Sequence, residues 1–162
     1  MKLKVLCTRW GSEHLPVQEF IDKVIATGYD GIDTWLPENY DERERLFKLA
    51  EENKLIVVIQ QYQAAGNTIA AFCNNLRTHL SEAASYKPYL INSHTGRDYF
   101  SFEDQQRVLD ASDDFSEGRG VLVSHETHRG RIGYSPSNAM QHFRLRPAMK
   151  VTADISHCFS DW

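Results

Sequence analysis

Six short apolar runs recur along the chain, and longer segments with a helical spacing of apolar residues separate them. Val and Ile are frequent in the runs, and most of the runs lack strict alternation with polar residues. Strands that are buried on both faces of a parallel sheet show this pattern. The runs cover residues 3–7, 31–35, 55–59, 89–92, 120–123 and 151–155. The alternation therefore predicts an α/β fold with a parallel sheet and right-handed crossovers.

Each of the five intervening segments predicts a helix. In the first, Val17, Phe20 and Ile21 follow the i, i+3, i+4 rule, and Gly28 is a candidate C-cap. Three later segments begin with candidate capping pairs: Asp41 with Glu44, Ser101 with Asp104, and Ser135 with Pro136. Side-chain oxygens at such positions accept hydrogen bonds from the unpaired N–H groups of a first helical turn, and proline has no N–H to satisfy.

Two architectures have this order of elements: an open doubly wound sheet and a (β/α)8 barrel. The first run starts at residue 3 and the sixth at residue 151, so one βα unit averages (151 − 3)/5, or about 30 residues. A barrel of eight such units needs ~250 residues. The chain has 162 residues, so its length by itself favours the open sheet.

The polar residues at the ends of the runs favour the barrel instead. Arg9 and Trp10 follow the first run, Asp33 lies in the second, and Gln60 follows the third. Histidines and carboxylates follow or lie in the last three runs. A barrel builds its site at the carboxyl rim from many strands, whereas an open sheet needs such ends at one switch point only. The phosphate-binding patterns GxGxxG and GxxxxGK[ST] are absent from the sequence.

Two clusters carry candidate metal ligands. In the run His125-Glu126-Thr127-His128-Arg129, side chains alternate between faces of a strand, so Glu126 and His128 share one face and His125 points to the other. Asp154 lies at the end of the sixth run, and His157 follows it. Carboxylate and imidazole groups that converge from adjacent strands can hold Mn²⁺, Mg²⁺, Co²⁺ or Zn²⁺, and this mixed donor set does not choose among them.

Other polar residues are candidates for contacts with a ligand. His94 and Arg97 follow the fourth run, and the guanidinium groups of Arg97 and Arg129 are suited to hydroxyl or phosphate oxygens. The remaining histidines, His14, His79 and His142, lie in or near predicted helices and are expected to face solvent.

Composition limits the classes of partner. Lys plus Arg number 18 and Asp plus Glu number 22, which gives a formal charge of −4 and argues against general attraction to nucleic acid or an anionic membrane. Three scattered cysteines suit a reducing compartment. The sequence lacks an apolar run near the ~20 residues that cross a bilayer, and its start turns polar too early for a signal peptide. We therefore expect a cytoplasmic protein.

Four stretches carry a resemblance to a known family. They are Gly28 to Asp33, Ile91 to Phe100, Val123 to Pro136 and Thr152 to Cys158. The most specific piece is His-Glu-Thr-His-Arg-Gly at 125–130 followed by Asp-x-x-His at 154–157. These stretches resemble the xylose isomerase-like TIM barrel superfamily, in particular bacterial sugar phosphate isomerase/epimerase proteins.

The resemblance implies an incomplete (β/α) TIM barrel of about six βα units out of eight. Residues 1–162 would form one xylose isomerase-like domain, corresponding to the N-terminal three quarters of a barrel. The metal ligands that the family carries on its seventh and eighth strands would lie beyond Trp162, so the chain is expected to be truncated after the sixth strand.

The resemblance also implies roles for individual residues. Glu126 and Asp154 correspond to metal ligands, and Glu126 can also act as the catalytic base. His157 corresponds to a residue that touches substrate or metal and is the second catalytic candidate. The implied substrate-binding residues are His94, Arg97, His128, Arg129 and His157. The implied reaction is isomerisation or epimerisation of a sugar or sugar phosphate, in which a divalent metal ion stabilises an enediolate.

Two alternatives remain open at this point. One is a metal-dependent phosphodiesterase of the endonuclease IV type, which shares the barrel. The other is a catalytically inactive barrel fragment. In either case a barrel of six strands leaves its first and sixth strands as free edges, and free parallel edges favour pairing with another chain. We therefore expect a homo-oligomer.

Overall fold

The computed structural model describes residues 2–157, so Met1 and residues 158–162 of the predicted domain lie outside it. Six strands alternate with five helices over the described range. The strands are β1 (Leu6–Thr8), β2 (Gly31–Trp35), β3 (Ile56–Gln61), β4 (Leu90–Ser93), β5 (Val123–Glu126) and β6 (Val151–Thr152). The helices are α1 (Val17–Ala26), α2 (Tyr40–Glu52), α3 (Ile69–Ser85), α4 (Phe102–Arg119) and α5 (Pro136–Leu145), and a 3₁₀ turn covers Ile155–His157.

The strands form one parallel sheet in the order β1-β2-β3-β4-β5-β6. Each strand pairs with the strand that follows it in the chain, and the order never reverses among the described strands. A doubly wound sheet requires such a reversal at its switch point. The sheet is therefore the singly wound, curled sheet of an incomplete α/β TIM barrel, which confirms the fold prediction and rejects the open doubly wound alternative.

A glycine allows β2 to lie unusually close to β3. Gly31 on β2 pairs with Ile56 on β3, and a Cβ atom at Gly31 would lie 1.9 Å from the carbonyl oxygen of Ile56. Only glycine fits such a close approach of two backbones. This contact fixes how β2 lies against β3 at the base of the sheet.

The helices cover the outer face of the sheet and bury the apolar core. α1 packs on α2 and α3 packs on α4. Ile21 and Leu46 belong to the part of the core that α1 and α2 form with the sheet. Leu76, Leu80 and Ile91 belong to the part that α3 and α4 form with it. All five side chains are fully buried. Among residues 2–157, we find no helix with the length and apolar character needed to cross a bilayer.

Helix boundaries agree with most of the predicted caps. Ser101 accepts a hydrogen bond from the backbone N–H of Asp104, and Ser135 accepts one from Asn138, as predicted. The predicted capping box at Asp41 is wrong, because the N-cap is two residues earlier: α2 begins at Tyr40, and the side chain of Asn39 accepts the N–H of Glu42. Asp41 therefore lies inside the first turn instead of preceding it.

Among the described strands, only β2 has the bounds of the apolar run that predicted it. β3 and β4 shift by one or two residues, and β6 ends at Thr152 instead of residue 155, so Asp154 follows the strand instead of lying in it. β5 and β1 each begin three residues later than their runs. β5 begins at Val123 instead of residue 120, because Gly120 has φ 64° and ends α4 in the left-handed conformation. The strand then continues through His125 to Glu126, so its polar residues belong to the strand itself. β1 begins at Leu6 because the chain before it is exposed, with Leu3 76% accessible.

The expectation that His142 faces solvent is wrong. Its side chain is 1% exposed and lies between α5 and α4, where Gln106 contacts Nδ1 at 2.7 Å and Gln105 contacts Nε2 at 2.9 Å. Burial and the nearby charge of Arg146 lower the pKa of His142. α5 thus packs a polar side against α4, which its short apolar stripe did not reveal.

Candidate functional site

Inward-facing polar side chains from neighbouring strands form the floor of a cleft at the carboxyl end of the sheet. Gln60 on β3 is in register with Asn92 on β4. Gln60 donates from Nε2 to Oδ2 of Asp33 on β2 at 2.7 Å, and its Oε1 accepts from the indole N–H of Trp10 at 2.6 Å. The strands therefore join Trp10, Gln60 and Asp33 in one hydrogen-bonded chain.

Glu126 ends β5 on the same inward face and is 6% exposed. Its Oε2 accepts a hydrogen bond from the amide of Asn92 and lies 3.1 Å from Nε2 of His94. The His94 contact has the distance of an ion pair but not the alignment of a hydrogen bond, so Nε2 of His94 lacks a hydrogen-bond partner among the described residues. Burial raises the pKa of Glu126, but His94 and Asn92 together outweigh it and leave this pKa below its usual value.

The second carboxylate of the cleft belongs to Asp154, which follows β6. Ser156 donates to Oδ1 of Asp154 from its backbone N–H at 2.8 Å and from its hydroxyl at 2.6 Å. The hydrogen bonds from Ser156 and the nearby His157 lower the pKa of Asp154. Both carboxylates are therefore ionised at neutral pH.

Candidate ligand atoms gather in two groups that share Glu126. One atom each from Glu126, Asp154 and His157 lie within 4.8 Å of one another, and so do atoms of Glu126, His94 and His128. The structure thus brings together the carboxylates predicted as metal ligands, although they come from residues 28 positions apart on neighbouring strands.

Three imidazole rings, tilted against one another, form a row along one wall of the cleft. The ring centroids of His94 and His128 are 4.7 Å apart, and those of His128 and His157 are 3.9 Å apart. Burial and the neighbouring imidazoles lower the pKa of His128. As predicted, His128 lies on the side of Glu126 while His125 faces the helices, where its Nδ1 contacts the hydroxyl of Thr95 at 2.7 Å.

The cleft has a volume of about 480 Å³. Its walls include five of the seven predicted site residues: His94, Glu126, His128, Asp154 and His157. Arg97 instead donates to the carbonyl oxygens of Gly96 at 3.0 Å and Ala64 at 2.7 Å, and Arg129 contacts His157 from the rim. Neither arginine is part of the cleft wall, so their roles in substrate binding stay predictions.

Three residues of the floor, Asp33, Gln60 and Asn92, are not among the predicted site residues, although Asp33 and Gln60 lie at the strand ends where the sequence places polar groups. Burial and the charge of Glu126 raise the pKa of Asp33, and its Oδ1 has no hydrogen-bond partner among the described residues.

A larger cavity of about 680 Å³ lies at the other end of the sheet, between α2, α3 and the start of β3. That cavity contains none of the metal-ligating groups found in residues 2–157, so we assign the site to the cleft.

Comparisons with known proteins give a match in structure only. No protein-family model matches the sequence, and no curated protein matches it. The structure is similar to the probable 3-DHS dehydratase AsbF, involved in petrobactin synthesis, from Bacillus anthracis, with a TM-score of 0.71 and 16% identity over 97% of this chain. It is also similar to a xylose isomerase-like TIM barrel protein from Mycobacterium smegmatis in complex with magnesium, with a TM-score of 0.63 and 13% identity over 95% of this chain.

The chain has the fold of the xylose isomerase-like TIM barrels. It spans 65% of the length of each of these two barrels. At identities of 16% and 13% the likeness extends to the fold alone. The chemistry of the cleft must therefore be argued from its own side chains.

The donor set of the cleft fits a divalent cation. Two ionised carboxylates supply hard oxygen ligands, and the imidazoles supply nitrogen ligands, a combination that accepts Mg²⁺, Mn²⁺, Co²⁺ or Zn²⁺. Nε2 of His94 and Oδ1 of Asp33 are buried without a hydrogen-bond partner among the described residues, so the floor retains polar atoms with unused bonding capacity. Glu126 and Asp154 are the residues that would hold the ion.

Proposed function

We propose that the protein is a divalent-metal-dependent sugar or sugar-phosphate isomerase or epimerase, which moves a proton next to a carbonyl group. The observation that carries this proposal is the meeting of Glu126 and Asp154, with ligand atoms within 4.8 Å, beside a row of imidazoles in an open cleft. A bound divalent ion supplies a Lewis acid that stabilises negative charge on substrate oxygens.

Glu126 is the base that the geometry favours. It is ionised and almost fully buried, and the amide of Asn92 orients its carboxylate towards the cleft. A carboxylate held in this way is suited to take a proton from a carbon next to a carbonyl and to return it to a neighbouring carbon or to the other face. His157 and His128, which lie beside Glu126 in the cleft wall, provide hydrogen-bonding groups for the substrate.

The open end of the cleft supports a small polyhydroxylated substrate. Trp10 forms part of the wall and is 47% exposed, and its ring packs on Trp35 with centroids 4.3 Å apart. Arg129 contacts His157 and would reach a phosphate group on the sugar. Arg97 is proposed for the same role, for which its guanidinium would have to leave the carbonyl oxygens of Gly96 and Ala64. The net charge of −4 argues against nucleic acid or a membrane surface as partner.

A dehydration is the second candidate, because the similar structure AsbF is a probable 3-DHS dehydratase. Loss of a hydroxyl group one carbon further from the carbonyl can begin with the same proton removal, so the same base would serve both reactions. The two outcomes differ in their products. An isomerase or epimerase conserves the mass of its substrate, whereas a dehydratase releases water.

The test is proton exchange catalysed by the purified chain in D₂O, followed by NMR. Aldoses, ketoses and their phosphates are offered with Mn²⁺, Mg²⁺, Co²⁺ or Zn²⁺ in turn. We expect metal-dependent incorporation of deuterium next to the carbonyl, which Glu126→Gln abolishes and Glu51→Gln, at an exposed position of α2, preserves. A chain that binds no metal ion, or equal exchange in Glu126→Gln, would overturn the proposal. Mass loss of one water without isomerisation would favour the dehydratase.

A further inference from the structure

The backbone of Arg129 determines which nitrogen of His128 carries a proton. Nδ1 of His128 lies 2.5 Å from the carbonyl oxygen of Arg129. A carbonyl oxygen only accepts hydrogen bonds, so Nδ1 must be the donor. In neutral His128, the lone pair is therefore on Nε2.

The side chain of the same arginine imposes the opposite arrangement on His157. Nε of Arg129 donates a hydrogen bond to Nδ1 of His157 at 3.2 Å. A guanidinium group has donors only, so Nδ1 of His157 must be the acceptor. In neutral His157, the proton is therefore on Nε2. This nitrogen lies 3.6 Å from Oδ2 of Asp154.

We propose that Arg129 is a positioning residue that holds His128 and His157 in opposite tautomers, and that His157 is a donor to the substrate and not a metal ligand. A metal ion at Nε2 of His157 needs a lone pair there, which would move the proton to Nδ1, against the N–H of Arg129. Glu126 and Asp154 would then hold the ion without His157. This inference rests on the proposed function for its substrate, but its tautomers can be measured without any substrate.

The two rings together define the chemistry of the group that they recognise. The two rings are neighbours in the cleft wall, with centroids 3.9 Å apart, and one ring offers an acceptor nitrogen while the other offers a donor N–H. A hydroxyl group next to a carbonyl group presents a matching donor and acceptor on adjacent carbons. The pair is therefore suited to an α-hydroxycarbonyl unit, and this sharpens the substrate class.

The first test reads the tautomers by NMR of the metal-free chain with ¹⁵N-labelled histidine, at a pH where histidine is neutral. Spectra of His128→Gln and His157→Gln assign the two residues. We expect His128 with its proton on Nδ1 and His157 with its proton on Nε2. A wild-type His157 that carries its proton on Nδ1 would overturn the proposal.

Substitution of Arg129 removes its side-chain contact with His157 but keeps its backbone contact with His128. In Arg129→Ala the backbone carbonyl remains, so His128 should keep its proton on Nδ1, while His157 should become a mixture of its two tautomers. In Arg129→Lys the lysine can still donate to His157, so part of the preference for the Nε2 tautomer should return. Arg131→Ala is the matched control, because Arg131 lies in the same loop and donates to the carbonyl oxygens of Gly96 and Tyr62. An unchanged His157 in folded Arg129→Ala, or equal loss in Arg131→Ala, contradicts the role of Arg129.

The second test measures Mn²⁺ affinity by calorimetry. Glu126→Gln and Asp154→Asn should weaken binding strongly, whereas His157→Gln should bind as tightly as the wild type. Weakening in His157→Gln equal to that in Asp154→Asn would show that His157 is a ligand and would overturn the proposal. A wild-type chain that binds no Mn²⁺ would reject the proposed function, and the tautomer spectra would still decide the inference.

Discussion

Asn92 on β4 donates a side-chain hydrogen bond to the carboxylate of Glu126 on β5, inside the buried floor of the cleft. The two side chains face the same way because the register places Ser124, two residues before Glu126, opposite Asn92. The amide favours the ionised form of Glu126, which burial alone would disfavour. A carboxylate that is ionised before an ion or a substrate arrives is ready to act as ligand or base.

This contact predicts a loss of metal affinity in Asn92→Ala. Removal of a residue that orients a metal ligand typically costs about 10–100-fold in affinity, and we expect a decrease in this range for Mn²⁺, measured by calorimetry. Asn74→Ala, the same substitution at an exposed position of α3, is the control. Equal affinity in wild type and Asn92→Ala would show that Asn92 does not orient Glu126.

A second prediction concerns stability in acid. Burial, with smaller effects of Arg146 and His142, lowers the pKa of His125 from 6.5 to about 4. Between these values the unfolded chain binds a proton at this residue and the folded chain does not. The free energy of unfolding should therefore fall as the pH drops through this window, by up to about 3 kcal/mol from His125 alone.

The measurement is guanidinium unfolding at several pH values between about pH 7 and pH 4. His125→Gln should show a smaller loss of stability over this range, and His14→Gln, whose side chain is exposed before α1, should keep the wild-type loss. An identical pH dependence in wild type and His125→Gln would contradict the burial of a neutral imidazole at this position.

The third prediction compares two glycines. Gly31→Ala should prevent folding or lower stability by more than about 3 kcal/mol, the upper range for single core changes, because its Cβ would lie 1.9 Å from the carbonyl oxygen of Ile56. Gly118→Ala, inside α4 with no atom within 4 Å of its Cβ, should instead stabilise the chain. A gain of about 0.5–1 kcal/mol is expected there. Thermal and chemical unfolding of both variants checks the pair, and a stable Gly31→Ala would reject the close approach.

The fourth prediction concerns association. β1 and β6 are edges of the sheet with three and two residues, and Val151 on β6 is 39% exposed. We expect the 162-residue chain to form a homo-oligomer in light scattering. Val151→Lys should shift it towards the monomer, because lysine on an edge strand discourages pairing. Leu145→Lys, at an exposed position of α5, is the control, and a monomeric wild type would refute the expectation.

The order of the six βα units could be predicted from the sequence because each apolar run is bounded by helical spacing and cap residues. Ser101 and Ser135 cap their helices as predicted, since a cap depends on neighbours a few residues away. His142 was misplaced because its burial depends on Gln105 and Gln106 of another helix, 36 or more positions away.

In the candidate site, too, features set by neighbouring residues could be predicted and features set by distant residues could not. The side shared by Glu126 and His128 follows from the alternation of one strand, and the structure agrees. The position of Asp33 and Gln60 at the ends of their runs was visible in the sequence, but no role in the site was assigned to them or to Asn92. Their convergence depends on the register between strands, which local spacing does not determine. The contact of Arg129 with His157 likewise joins two loops that only the paired strands bring together.

β6 has only two residues, yet Asp154 follows it directly. An ion held by Glu126 and Asp154 would therefore link β5 to the chain after β6. Its binding free energy would add to the backbone hydrogen bonds of the shortest strand pair in the sheet, and stability would rise with ion concentration by mass action. β6 and the residues after it would thus be most ordered when the ion is bound.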